Sequence, residues 1–334
     1  MKIGLIGAGR IGQVHASTIV THVPQAQIVA VADVVEVAAK NVAEKYRIPN
    51  ATTDYTQLLN DSSIDAILIC SPTDRHAKQI IECAQAGKHI FCEKPIAMTL
   101  PEIDRALEAV KKARVKLQIG FNRRFDSNFR RVRHAIVNGE IGEPHMLHII
   151  SRDPAPPPLE YIKNSGGIFL DMAIHDFDMA RYLIGDEVVS VYVQADVKVD
   201  PRIGEAGDVD TAMTMLRFKN GVIGTIDNSR KAVYGYDQRV EVFGSGGAIN
   251  IGNNFSNSAI VSNADSVRRD LPLNFFMQRY VEAYATEIIE FIDAIDNNKS
   301  VPCDGFDARE ATRLGLAAKK SLAENRPVEL SEIR

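Results

Sequence analysis

Met1-Lys2-Ile3-Gly4-Leu5-Ile6 runs straight into Gly7-Ala8-Gly9-Arg10-Ile11-Gly12, an apolar strand-like run followed by a G-x-G-x-x-G turn. A second apolar run, Ile28-Val29-Ala30-Val31-Ala32, ends in Asp33, 21 residues after Gly12. Glycine turns of this kind are common between strands and helices. The strand before, the helix after and the acid at this distance are what make it a dinucleotide-binding fingerprint. Gly7 permits the tight turn, Gly9 lets backbone N–H groups approach a pyrophosphate, and Gly12 lets the helix lie close on the strand. The positive end of the helix then faces the phosphates. A carboxylate at Asp33 accepts a hydrogen bond from a ribose 2′-hydroxyl and repels a 2′-phosphate. Val34 and Val35 follow it with no Arg or Lys, so the expected cofactor is NAD rather than NADP.

Outward from this turn, the first 120 residues alternate helical stretches near 10–21, 35–46, 75–87 and 101–113 with apolar runs at 28–32, 65–70, 88–92 and 115–119. Such alternation predicts a doubly wound parallel sheet, with ligands beyond the carboxyl ends of its strands. Three segments fall there: Gly7–Gly12, Cys70–Thr73 and Cys92–Pro95. The remainder reads differently. A basic helix is expected from Asn122 to Asn138, a strand at 145–151, a proline-rich loop, and a helix at 168–184 introduced by Gly166-Gly167. Strand-like runs at 187–195, 209–218, 221–228, 237–243 and 247–251 then predict a large, mainly antiparallel open sheet. Helices at 274–297 and 307–324 close the chain. The expected division is an NAD-binding Rossmann domain at 1–121 and an α/β substrate-binding and oligomerisation domain at 122–334. Apolar residues on both faces of 209–228 suit either a subunit interface or burial within the chain.

Composition narrows the function classes. At 334 residues the chain is long enough for two domains, and a formal net charge of −4 leaves no basic footprint for nucleic acid. The four cysteines form no C-x-x-C pair and the eight histidines form no metal-binding tract, so no metal is expected. Free cysteines, strand-sized apolar runs and a first strand starting at residue 1 or 2 lead to the expectation of a cytoplasmic protein with no leader and no membrane partner.

Two short segments carry the candidate chemistry. Lys94, in Glu93-Lys94-Pro95, follows the strand His89–Cys92. An ammonium at that sheet end can stabilise the alkoxide that develops as a hydride leaves a carbinol carbon. Asp171 and His175 lie four residues apart on the expected helix, sharing a face, and a histidine suits proton transfer near neutrality. A solvated loop lysine and a surface Asp–His pair are the plain alternatives. Arg123 offers its guanidinium to a ligand or to a surface ion pair, Asp153 and Tyr236 offer polar groups for a ligand or for loop packing, and His15 and His76 for the cofactor or for helix capping or packing.

The segments GAGRIGQVHA, CSPTDRH, CEKP, GFNRRFD, SRDPAPPP and GGIFLDMAIHDFDMARYL together resemble the Gfo/Idh/MocA oxidoreductases across nearly the whole length, and GFNRRFD and SRDPAPPP resemble the myo-inositol 2-dehydrogenase branch. The resemblance implies a homotetramer built through the open sheet and a catalytic trio of Lys94, Asp171 and His175. In it His175 accepts the proton, Lys94 polarises the hydroxyl and Asp171 supports both. It also implies cofactor contacts from Ser71, Pro72, Thr73, His76 and Glu93, polyol contacts from Asn122, Arg123, Asp153 and Tyr236, and a cis bond before Pro95. The expected reaction is NAD-dependent oxidation of myo-inositol to scyllo-inosose. Some inositol dehydrogenases carry an apolar residue where this chain has Asn122, which leaves the stereoisomer open. Oxidation of another cyclitol or sugar, and a non-catalytic NAD sensor, are the alternatives.

Overall fold

The computed structural model describes residues 1–334. By packing, the chain divides into one unit of Met1–Phe125 with Val281–Thr312 and a second of Asp126–Tyr280 with Arg313–Arg334. The contiguous reading had left 281–312 with the second domain.

In the first unit the elements run β1 (Lys2–Ile6), α1 (Arg10–His22), β2 (Gln27–Ala32), α2 (Glu36–Tyr46), β3 (Asn50–Thr52), α3 (Thr56–Asn60), β4 (Ala66–Ile69), α4 (Thr73–Gln85), β5 (His89–Cys92), α5 (Leu100–Ala113) and β6 (Leu117–Ile119). The strands pair in parallel in the order β3-β2-β1-β4-β5-β6. Helices cover both faces of such a sheet, so its strands are apolar throughout rather than alternating. β4 is buried at all four positions, and Ile3, Leu5, Val31, Leu68 and Phe91 are inaccessible to solvent. The order reverses direction at β1, whose neighbours are β2 and β4, so a crevice opens beyond Ile6 and Ile69. β3 and α3 escaped the sequence reading because three and five residues are too short to show a period.

The second unit contains α6 (Ser127–Val137), β7 (Pro144–Arg152), α7 (Leu159–Asn164), α8 (Gly167–Asp171), α9 (Ile174–Ile184), β8 (Val188–Asp196), α10 (Pro201–Glu205), β9 (Thr211–Phe218), β10 (Ile223–Ser229), β11 (Asp237–Gly244), β12 (Gly247–Ile251), a small hairpin of β13 (Ile260–Ser262) and β14 (Val267–Arg269), and α11 (Phe276–Arg279). The chain returns to the first unit in α12 (Val281–Asp296). It then runs through α13 (Gly305–Glu324), whose second half belongs to the second unit, into β15 (Val328–Glu329). The seven-stranded sheet has the order β12-β11-β7-β10-β9-β8-β15 and is antiparallel except for β7 and β10, which pair in parallel at its centre. Strict alternation in β9 buries Ala212, Thr214, Leu216 and Phe218 on one face and exposes Met213 and Met215 on the other.

Three expected helices are interrupted. The basic helix of 122–138 is a 3₁₀ turn at Asn122–Phe125 and then α6, because Asp126 adopts an extended conformation and caps α6, accepting from the N–H groups of Asn128 and Phe129 at 3.0 and 3.2 Å. The closing stretch from 274 splits between α11 and α12. The helix of 168–184 stops at Asp171 and restarts at Ile174, so Asp171 and His175 do not share a face of one helix. At that break the Ala173 N–H bonds the Ile168 carbonyl at 2.8 Å, one residue further back than a helix requires.

Candidate active site

The glycine turn is shaped by contacts that leave no room for side chains. Gly7 sits at φ +104°, and a Cβ there would lie 2.5 Å from the Cys70 carbonyl oxygen. A Cβ on Gly12 would lie 2.0 Å from the Gly7 oxygen, so α1 packs directly on the turn. Gly9 is the reverse case: a Cβ would meet nothing within 4 Å. It is the N-cap of α1, no side chain caps the helix and no acid lies in its first turn, so no side chain of the protein neutralises the positive end of α1. Asp33 accepts from the N–H of Ala8 at 2.7 Å and of Val35 at 2.9 Å, which fixes its carboxylate beside the turn. Val34 and Val35 are exposed. An uncapped helix end next to a fixed carboxylate matches the pyrophosphate and ribose of NAD. Ala8, Arg10 and Ile11 complete the turn, with Arg10 exposed.

Beyond β4, Ser71, Pro72 and Thr73 lead into α4. His76 is buried, and its Nδ1 and Nε2 lie 2.8 Å from the carbonyls of Pro95 and Ser71. Burial pushes its pKa below the ordinary histidine value. The neutral ring sits between the Ser71 loop and the turn that carries Lys94 and donates its single N–H to one of the two carbonyls. Lys94 is half-buried just past the carboxyl end of β5, and the Lys94–Pro95 bond is cis. Glu93 is buried and its Oε1 accepts from His15 Nε2 at 2.6 Å. Asn122 and Arg123 are buried on the 3₁₀ turn after β6, and the neighbouring Arg124 is paired with Asp307 at 2.9 Å.

In the second unit, Asp171 closes α8 and His175 opens α9, both half-buried. The Asp171 carboxylate accepts from the Tyr161 hydroxyl at 2.8 Å and faces Arg230 at 3.5 Å. Arg230 is 1% exposed and also faces Asp208 at 3.4 Å. Asp208 in turn accepts from the Ile168 N–H at 3.0 Å, at the start of α8. A buried guanidinium shared by two carboxylates links both ends of the five-residue α8. Next to His175, Asp176 is inaccessible and accepts from Asn228 Nδ2 at 2.8 Å. Asp153 follows β7, its N–H bonding the Ser229 carbonyl at 2.9 Å. Tyr236 is buried, with Phe275 and Tyr280 edge-on to its ring at 6.2 and 6.0 Å. Tyr161, Asp208 and Arg230 were missed by the sequence reading. Nothing in their local pattern separates them from surface residues, and only the fold brings them to Asp171.

Residues 1–121 match the NAD-binding Rossmann-fold domain of the Gfo/Idh/MocA oxidoreductases, and residues 129–250 match a C-terminal domain of the same family. The chain belongs to the Gfo/Idh/MocA family. Its cofactor is accordingly NAD, and its fold is a Rossmann domain followed by an α/β domain with a mainly antiparallel sheet. Among family relatives, an uncharacterized oxidoreductase of Bacillus subtilis is 50% identical, over 98% of this chain and 96% of its own. A myo-inositol 2-dehydrogenase of Thermotoga maritima is 49% identical, over 100% of this chain and 99% of its own. The crystal structure of a scyllo-inositol dehydrogenase from Lactobacillus casei, with bound NAD(H) and scyllo-inositol, superposes with a TM-score of 0.93. It is 29% identical and covers 99% of each chain.

Proposed function

We propose that this protein is an NAD-dependent inositol 2-dehydrogenase that oxidises myo-inositol to scyllo-inosose, with the Rossmann unit binding NAD and the second unit contributing Asp153, Asp171, His175 and Tyr236 to the polyol. The reading rests on the 49% identity, over the full length of both chains, with the Thermotoga maritima myo-inositol 2-dehydrogenase. NAD, when bound, supplies the hydride acceptor. Gly7 to Gly12 hold its pyrophosphate, Asp33 its ribose, and Ser71, Pro72, Thr73 and Glu93 lie along it. His76, packed between the Ser71 and Pro95 carbonyls, contributes by donating its single N–H to one of them.

Lys94 donates to the reacting hydroxyl oxygen and stabilises the negative charge that grows there. His175 takes the hydroxyl proton, because an alcohol carbon gives up hydride readily only as its proton leaves. Asp171, held by Tyr161 and Arg230, supplies the negative charge that supports both. Asn122, Arg123, Asp153 and Tyr236 recognise the remaining hydroxyls. A lysine in this role does the work of a Lewis acid, so activity is expected to survive a strong chelator. The four buried free cysteines suit a reducing cytosol. The protein assembles as a homotetramer through the outer face of its seven-stranded sheet.

A second reading, oxidation of another cyclitol or a sugar, is favoured by the likeness to the scyllo-inositol enzyme. The deciding assay follows NADH absorbance with a panel of inositols and sugars, using NAD and then NADP. Turnover of myo-inositol to a ketone with NAD preferred is the expected result. Turnover of a sugar alone would replace the substrate, and equal kcat/KM with NADP would remove the role given to Asp33. NAD binding without turnover of any polyol would favour a sensor.

A further inference from the structure

Inside the first unit lies a buried cluster of which the proposed reaction uses only Glu93. His15 of α1, Glu93 past β5 and Glu287 of α12 bring one ligand atom each within 4.8 Å of one another. His15 and Glu287 are both inaccessible to solvent. His15 Nε2 donates to Glu93 at 2.6 Å, while Phe91 and Tyr284 stand edge-on to the imidazole at 5.2 and 5.4 Å. Neither carboxyl oxygen of Glu287 meets a hydrogen-bond donor. Its backbone is anchored, because Gln118 Nε2 donates to the Glu287 carbonyl at 2.7 Å. Glu93 is confined from the remaining side: a Cβ on Gly120 would lie 3.1 Å from its carboxyl carbon.

Two carboxylates this close in a dry, apolar setting do not both ionise. An ionised carboxylate without donors is the most costly group a protein can bury, whereas a protonated one supplies its own donor. Glu93 already has a donor in His15, so it keeps the charge, and Glu287 keeps the proton.

Resting on the dehydrogenase reading above, we propose that Glu287 is a positioning residue. As a neutral acid it donates toward the Glu93 carboxylate, and with His15 it holds the Glu93-Lys94-Pro95 turn at the nicotinamide end of the NAD site. Burial, and secondarily the charge of Glu93, push the Glu287 carboxyl well above the ordinary range, in keeping with this state. The other titratable groups on elements packed against α12 are Arg10 and His22 on α1 and Arg123 and Arg124 on the 3₁₀ turn, and the buried Cys70 thiol also faces Glu287.

The test compares Glu287→Gln, which mimics the neutral acid, with Glu287→Leu, which fills the space but cannot donate. Infrared spectroscopy of the NAD-bound enzyme reads the carboxylic-acid carbonyl band without any substrate. Calorimetry reads NAD affinity, and kinetics read kcat against pH. Expected are an acid band lost in Glu287→Gln, NAD affinity and kcat of that variant within about twofold of wild type, and a fall of about tenfold in kcat for Glu287→Leu with KM for the polyol unchanged. The wild type should also lose activity at alkaline pH, as Glu287 ionises, along a limb that Glu287→Gln lacks. Wild-type kinetics and NAD affinity in Glu287→Leu would overturn the proposal, as would absence of the acid band. Stoichiometric metal in the purified enzyme would overturn it too, because Glu287 would then be an ionised ligand. Failure of the wild type to oxidise any polyol would sink the dehydrogenase reading alone, leaving the infrared band and NAD affinity to decide the role of Glu287.

Discussion

Lys94 and His175 are assigned to charge stabilisation and proton transfer, two roles in the chemical step. Lys94→Ala should lower kcat by roughly 10²- to 10³-fold, the usual cost of one donor at a developing oxyanion, and leave NAD affinity nearly intact. His175→Asn should lower kcat by roughly 10²- to 10⁴-fold, again with NAD affinity nearly intact. Steady-state kinetics with calorimetric NAD titration check these outcomes, and an unaltered kcat in either variant would remove that residue from the chemistry. At this scale the sequence was legible where a residue's role follows from its neighbours in the chain. Gly7, Gly12 and Asp33 could be read because strand, turn and acid lie in one short segment. Arg230 and Glu287 could not. Each meets its partners only after a long excursion of the chain: Arg230 reaches Asp171, and Glu287 reaches His15 and Glu93.

Helix ends were the least legible elements. Apolar periodicity persists through 122–138 and 168–184, but a capping side chain, as at Asp126, or a single wide turn, as at Ala173, stops a helix without disturbing that period. Asp126 illustrates the energetics. It caps α6 and also pairs with Arg279, both side chains buried and the Nη2–Oδ1 distance 3.2 Å. Asp126→Ala removes a cap and strands a buried guanidinium, so a loss of roughly 3 kcal/mol or more is expected, read as a drop in thermal midpoint. Asp126→Asn keeps an N-cap acceptor and should fall between wild type and alanine. A midpoint unmoved by Asp126→Ala would mean that α6 needs neither the cap nor the pair. The parallel pairing of β7 with β10 was likewise unreadable, since strand order depends on how distant segments meet rather than on alternation within either.

At the scale of the whole molecule, the outer face of the seven-stranded sheet carries a row of Phe243, Met146 and Ile223, directly opposite one another on β11, β7 and β10 and each more than 40% exposed. Met213 and Met215 of β9 extend this apolar face, each about half exposed. The opposite face buries Val242, Leu147 and Leu216 within the chain. An apolar sheet face of this kind is suited to a subunit contact. Light scattering is expected to give a tetrameric mass, and Met215→Glu, which places a charge at the contact, is expected to reduce it. A monomeric wild type would end the interface idea. No helix is long and apolar enough to cross a membrane.

The sequence by itself determined the Rossmann unit, the NAD fingerprint and the second sheet. Each of these is written in local periodicity or in a short motif, where adjacent residues suffice to define the geometry. Tertiary structure alone decided that Val281–Thr312 returns to the first unit, that α8 and α9 are separate, and which partners hold Asp171 and Glu93. Those outcomes depend on long-range packing. The apolar face of α12 finds its place against Ile3, Leu68 and Phe91 because burying Ile288, Phe291 and Ile292 there stabilises each by roughly 1.5–3 kcal/mol, a term no local window of sequence contains.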